Sequence, residues 1–234
     1  MNIQRTKVLI TGGSSGIGKE TAKEFIAKGA MVVITGRNAQ KLDSVAKEIG
    51  AIPCLFDISD LDTIPAKTAE ILSLLDGDID TLINNAGIGV FPELGEITQN
   101  DLETVYTTNV FGLALLTQEF LPVFKKKNSG NIINIGSTAS LKGFARGSVY
   151  AASKFAVRGM TQSWQAELRK FNIRVSLVNP SEVTTAFADA SRKEKKEEHN
   201  KIGPKDIADA IVSVVEMRDK SFVPEITIWA TNPF

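Results

Sequence analysis

Residues 7–18, Lys7-Val8-Leu9-Ile10-Thr11-Gly12-Gly13-Ser14-Ser15-Gly16-Ile17-Gly18, pass from a short apolar stretch through a glycine-rich turn into an amphipathic one. A buried strand followed by a tight turn and a helix start accounts for that order. Gly12, Gly16 and Gly18 let the backbone turn sharply and approach a diphosphate, which then sits on the positive end of the helix. Ser14, Ser15 and Ile17 complete the turn. Glycines also close ordinary loops, so it is the position between strand and helix that carries the reading. The spacing is T-G-x-x-x-G-x-G, not the more common G-x-G-x-x-G.

Outward from this turn, short β-branched runs alternate with longer amphipathic ones, as βα units around a parallel sheet require. Strands are expected at residues 7–11, 31–35, 52–56, 81–84, 131–135, 174–178 and 225–229, most of them apolar throughout, as strands covered on both faces should be. Helices are expected at 16–28, 39–49, 60–75, 99–127, 148–171 and 204–218. Pro204 opens the last, and Thr98 with Asp101 forms a capping-box pattern. With right-handed crossovers, the expectation is an α/β, single-domain Rossmann fold over 1–234: a doubly wound, parallel, seven-stranded sheet with helices on both faces. Residues 191–201 are densely charged and read as a solvated helix. The other reading, for about 186–203, is a lid over a pocket. His199 lies in this run and reads as a surface residue.

The chain has 234 residues, 43% hydrophobic and 23% charged, with 27 basic side chains against 27 acidic ones. That balance argues against a nucleic-acid partner bound through its phosphates. One cysteine, Cys54, excludes an internal disulfide, and with a single histidine it argues against a zinc site, so no metal is expected. No apolar run approaches the roughly eighteen residues of a membrane span. Residues 1–7 lead straight into Val8-Leu9-Ile10, which leaves no room for a secretion signal. A soluble, cytoplasmic protein is expected.

The second strand ends at Thr35-Gly36-Arg37-Asn38, and no acid occurs from Phe25 to Leu42. An NAD site ordinarily places an acid here for the ribose 2′-hydroxyl. A carboxylate would repel a 2′-phosphate, whereas Arg37 pairs with one and stacks on adenine. Arg37, with Asn38 beside it, therefore favours NADP(H). The plainer use of Arg37 is a surface charge in a loop.

Asn84-Asn85-Ala86-Gly87 ends the fourth strand, and Tyr150-Ala151-Ala152-Ser153-Lys154 opens a long helix. Ser137 ends the fifth strand thirteen residues before the tyrosine (150 − 137 = 13), and Asn109 lies in the preceding helix. In this order and spacing the chain resembles the short-chain dehydrogenase/reductase family, and in particular its NADP-dependent carbonyl and 3-oxoacyl-acyl-carrier-protein reductases. Tyr150 and Lys154, four apart, share a helix face. A free tyrosine titrates near pH 10, and a lysine about 5 Å away at a dielectric near 20 favours its phenolate by roughly 3 kcal/mol. That predicts a lowered Tyr150 pKa, before desolvation acts the other way. Tyr150 would exchange a proton with the substrate oxygen while Ser137 hydrogen-bonds it.

The resemblance implies that Lys154 holds the nicotinamide ribose and that Asn109 supports a proton-supplying water chain. It further implies that Asp57 contacts the adenine amino group. Asn85, Ala86 and Gly87 would flank the cofactor, and Pro180, Val183 and Thr185 would line its carboxamide. Two departures stand out: Ser181 replaces the family's usual glycine, and Gly136 stands where many relatives have serine.

The pocket wall is expected to include Phe91, Phe144 and Phe187 around Ser137, with Val90, Leu141 and Arg146 nearby. The substrate would be a small carbonyl or alcohol. Three functions stay open: a carbonyl reductase, a 3-oxoacyl-carrier reductase, and a non-catalytic NADPH sensor. The resemblance also implies a homo-oligomer, tetramer or dimer; Phe111, Leu115 and Trp164 serve either that interface or packing on the sheet.

Overall fold

A computed structural model describes residues 2–185, 187, 198 and 200–232. Seven strands form one parallel sheet: β1 (Lys7–Ile10), β2 (Met31–Gly36), β3 (Ile52–Leu55), β4 (Thr81–Asn84), β5 (Gly130–Ile135), β6 (Ile173–Pro180) and β7 (Glu225–Ile228). The order across the sheet is β3-β2-β1-β4-β5-β6-β7. Chain order reverses between β1 and β4, and the crevice beyond their carboxyl ends is where such sheets receive ligands.

The helices are α1 (Gly16–Ala27), α2 (Ala39–Ile49), α3 (Ile64–Leu74), α4 (Gln99–Tyr106), α5 (Leu113–Lys127), α6 (Ser148–Leu168) and α7 (Pro204–Glu216). They cover both faces, leaving a core on each. One core packs Phe25, Ile34, Ile83, Ile207 and Ile211, and the other packs Leu9, Leu82, Phe120, Phe124 and Ile132. This is why consecutive strand residues are apolar: each neighbour faces a different buried layer.

The helix expected over 99–127 is two helices. A wide π-helical turn, Thr107–Gly112, separates α4 from α5 and carries Asn109. The chain passes tightly here, for a Cβ on Gly112 would collide with the Ile58 carbonyl. The stretch expected as helix over 60–75 opens with a 3₁₀ turn at Leu61–Thr63, and the one expected over 148–171 closes with another at Arg169–Phe171. The capping box forms as expected. Thr98 Oγ1 accepts from the Asp101 amide at 3.1 Å, and the Asp101 carboxylate accepts from the Thr98 amide at 2.9 Å.

A buried polar ladder crosses the sheet. Asn84 Nδ2 donates to Thr117 Oγ1 and to Asn134 Oδ1, each at 2.9 Å, and Asn134 Nδ2 donates to Thr161 Oγ1 at 2.8 Å. This ties α5 and α6 to the central strands just below the crevice. Much of the charged run falls outside the described residues, including 188–197 and His199, as does Ala186 of the expected lid.

Candidate active site

The glycine turn is stitched to the end of β4. Thr11 Oγ1 accepts from the backbone amides of Asn85 and Ala86, both at 3.0 Å. Asn85 Nδ2 donates back to the carbonyls of Thr11 at 2.9 Å and Gly12 at 3.1 Å. Gly12 and Gly16 have φ of +66° and +51°, values that side-chain-bearing residues rarely adopt. A Cβ on Gly18 would lie 2.5 Å from both Asn85 Nδ2 and the Gly12 carbonyl, so α1 can approach only as glycine. Ser15 caps α1 without a side-chain hydrogen bond, and the first turn carries no acid, so its amides suit an anionic diphosphate.

Arg37 is exposed at the end of β2, where it suits a 2′-phosphate. Beside it, Asn38 Oδ1 caps α2 by accepting from the Lys41 amide at 2.9 Å, so that oxygen serves the helix. Asp57 Oδ1 accepts from the Ser59 amide at 3.0 Å and from its hydroxyl at 2.7 Å in a local turn after β3. Pro180 closes β6. Val183 bridges to Ile202, and Thr185 reaches the α1 N-terminus, its Cγ2 lying 3.3 Å from where a Gly16 Cβ would sit. Ser181 continues the β6–β7 ladder, its amide donating to the Ile228 carbonyl at 2.9 Å.

Ser137, Tyr150, Lys154 and Asn109 converge beyond β4 and β5. Tyr150 is largely buried, with its hydroxyl close to the Ser137 side chain. Lys154, 5% exposed, donates from Nζ to the Ile135 carbonyl at 2.8 Å and lies 5.8 Å from the Tyr150 ring centre. Asn109 Oδ1 accepts from the Ile88 amide at 2.9 Å, while Nδ2 donates to the Ile88 carbonyl at 2.9 Å and to Ser153 Oγ at 3.1 Å. Ser153 Oγ donates to the Tyr150 carbonyl at 2.7 Å. Between these groups lies Gly87, where an added Cβ would sit 3.3 Å from Asn109 Oδ1 and 3.8 Å from Lys154 Nζ.

The electrostatics depart from expectation. Burial pushes the Tyr150 hydroxyl up to about 12, against a downward pull from the Ser137 hydrogen bond. Burial alone brings the Lys154 ammonium down to about 8. The expected lowering of Tyr150 by Lys154 does not emerge: burial and Ser137 act on the hydroxyl, while the ammonium donates to the Ile135 carbonyl.

Aromatic rings enclose the tyrosine. Phe91 meets Tyr150 edge-on at 5.4 Å between centres, Phe187 lies at 5.6 Å from it, and Phe144 packs on Phe91 at 6.2 Å. Arg146, with φ of +65°, donates from Nε to the Phe91 carbonyl at 3.1 Å, so it supports the wall. Val90 is partly buried and Leu141 is exposed at the rim. Two contributors were missed by sequence reasoning. Asn179 Oδ1 accepts from the Ser137 amide at 3.2 Å, and Ser140 Oγ accepts from the same amide at 3.1 Å. The signal for the first was the absent serine at 136, since a Cβ there would collide with Asn179 Oδ1.

A nucleotide-type glycine turn at the switch point, with a Ser-Tyr-Lys-Asn cluster beside it, defines a class of oxidoreductases. A profile described as short chain dehydrogenase matches residues 6–196, and the chain belongs to that family. It is 34% identical over 241 residues to an NADP-dependent 3-hydroxy acid dehydrogenase of Schizosaccharomyces pombe, covering 96% of this chain and 92% of that one. It is also 34% identical to a 3-oxoacyl-[acyl-carrier-protein] reductase of Thermotoga maritima, over 81% of this chain and 78% of that one. Among solved structures, a metagenomic short-chain oxidoreductase in complex with NADP superposes with a TM-score of 0.84 at 32% identity, covering 97% and 98% of the two chains. Among the described residues no helix is long and apolar enough to cross a membrane, and no group of acids, cysteines and histidine is placed to hold a metal ion.

Proposed function

We propose that this protein is an NADPH-dependent carbonyl reductase in which Tyr150 is the general acid for reduction and the general base for the reverse reaction. The observation that carries the reading is the convergence of Tyr150, Ser137 and Lys154 next to the turn of Gly12–Gly18. The NADP-dependent relative and the NADP-bound neighbour support the same cofactor. The α1 amides and Ser14, Ser15 and Ile17 would cradle the diphosphate, Arg37 the 2′-phosphate and Asp57 the adenine. Asn85, Ala86, Gly87, Pro180, Val183 and Thr185 would border the nicotinamide half.

When bound, NADPH supplies a hydride to the carbonyl carbon. Ser137 and Tyr150 hydrogen-bond the carbonyl oxygen, and the Tyr150 proton moves to it as negative charge builds there. With Tyr150 at about 12, the hydroxyl is fully protonated at neutral pH and ready to donate. The ammonium of Lys154, still mostly charged at pH 7, would favour the phenolate left behind and would hold the nicotinamide ribose of the bound cofactor. Asn109 keeps the backbone at Ile88 in place beside them.

Phe91, Phe144 and Phe187 favour a ketone or aldehyde with a flat apolar substituent. A carrier-bound 3-oxoacyl group and an NADPH sensor are the competing readings. Exposed Leu102, Phe111, Leu115 and Phe155 on α4, the π-turn, α5 and α6 support a homo-oligomer, tetramer or dimer, whereas Trp164 packs on the core. Light scattering tests that assembly, and a strict monomer would exclude it.

The activity is tested by following NADPH oxidation with aryl ketones, aldehydes and a 3-oxoacyl thioester for the wild type, Tyr150→Phe and Ser137→Ala. Aryl-ketone turnover lost by more than about a hundredfold in Tyr150→Phe supports the reading. Full activity in that variant overturns it.

A further inference from the structure

Asn179 is fully buried near the end of β6. Its two amide atoms are both used. Oδ1 takes the backbone N–H of Ser137 at 3.2 Å, and Nδ2 donates to Glu225 Oε1 at 2.9 Å. The other oxygen of Glu225 receives Arg158 Nε at 3.1 Å. A continuous line therefore runs from α6 through β7 and β6 to the backbone of the reacting serine.

The polarity of this line is set at Glu225. A carboxylate is acceptor-only, so it holds the NH₂ end of the Asn179 amide toward itself and leaves the carbonyl end facing Ser137. Arg158 holds the other oxygen of that carboxylate and so fixes its aim. Without Glu225 the amide is free to turn its NH₂ toward the Ser137 N–H, replacing an attraction by a donor–donor contact. The missing side chain at residue 136 belongs to the same arrangement. A Cβ there would run into Asn179 Oδ1 and approach Ser140 Oγ to 2.9 Å, so Gly136 leaves the space that Asn179 fills.

We propose that Asn179, oriented by the Glu225–Arg158 pair, is a positioning residue that sets the angle at which Ser137 meets the substrate oxygen. The inference rests on the reading of Ser137 as the hydroxyl that binds that oxygen. Ser140 Oγ shares the same N–H, so Asn179 governs the aim of Ser137 and does not hold it alone. A small misalignment of a donor at developing charge lowers turnover more than binding.

The test uses isosteric exchanges in the full-length enzyme with NADPH and its best ketone. Asn179→Asp sets two carboxylates face to face and is expected to lower kcat about tenfold, with KM for NADPH changed less than twofold. The double variant Asn179→Asp with Glu225→Gln restores one donor and one acceptor at the junction: the aspartate still accepts from Ser137, and the glutamine amide now donates to it. It is expected to regain most of kcat. Glu225→Ala, at a partly buried position on the edge strand and checked by its melting temperature, is expected to lose kcat about fivefold. Unchanged kcat in Glu225→Ala, or no recovery in a double variant that melts like wild type, overturns the proposal. Ser137→Ala, measured alongside, separates the two ideas. If it is inactive while the Asn179 and Glu225 variants behave as wild type, only the positioning role fails. If it is fully active, the reading of the site fails with it.

Discussion

Asn109 grips both backbone groups of Ile88, taking its N–H and giving to its carbonyl, each at 2.9 Å. The side chain thus acts as one more rung of a strand ladder, placed between the π-turn and the loop that follows β4. A third bond, to Ser153, ties the same amide to the helix carrying Tyr150 and Lys154.

Asn109→Ala removes all three bonds and leaves the Ile88 groups partly buried without partners. A loss of about 2–3 kcal/mol is expected in urea unfolding, with kcat reduced more than tenfold. Stability equal to wild type would mean that water replaces the amide at no cost.

Lys154 works at the expense of stability. Its folded pKa of about 8 lies below the ordinary 10.5, so the unfolded chain binds more protons between these values and stability rises with pH across that window. Below pH 8 the full cost of the buried charge is felt. Lys154→Met should therefore stabilise the protein by about 2 kcal/mol at pH 7, after allowing for the lost bond to Ile135, while abolishing turnover. The advantage should fade toward pH 10.5 in thermal melts of the two proteins. A variant less stable than wild type at pH 7 would contradict the argument.

Arg37 should matter for one cofactor only. Arg37→Ser is expected to raise KM for NADPH about ten- to a hundredfold and to leave KM for NADH within twofold. Steady-state kinetics with both cofactors decide it, and an unchanged NADPH/NADH ratio would move the 2′-phosphate elsewhere.

The buried ladder beneath the crevice makes a prediction about stability. Asn134→Leu takes one of the two acceptors from Asn84 Nδ2 and the donor from Thr161 Oγ1 in a buried layer, and should cost about 1–3 kcal/mol by chemical denaturation. Asn131→Ala, at the other end of β5, serves as the comparison within the same strand.

The sheet, its helices and the turn over Gly12–Gly18 were legible because a doubly covered strand writes itself as a continuous apolar run. The cluster of Ser137, Tyr150, Lys154 and Asn109 was legible from order and spacing. What escaped notice depends on distances that only folding creates. A π-turn adds one residue to a helical period, too little to disturb the pattern over 99–127. The tyrosine–lysine pair was judged from Coulomb attraction, but the outcome is set by how deeply both are buried. The cap that the Asn38 side-chain oxygen places on α2 also went unread. Asn179 left only an indirect trace, the glycine at 136, because its meaning lies in the β5–β6 register, which brings it against Ser137 across 42 residues of chain.

The stitching of Thr11 to Asn85 and Ala86 spans 74 and 75 positions of sequence. A ribosome releases the glycine turn first; Gly13 can bond the Thr35 carbonyl once β2 is out, but the partners of Thr11 arrive only when β4 has cleared the exit tunnel. Until then β1 has only β2 as a partner, and its other edge stays open to any strand that passes. The turn is therefore completed only when β4 closes that edge, by the same pairing that gives β1 its second neighbour.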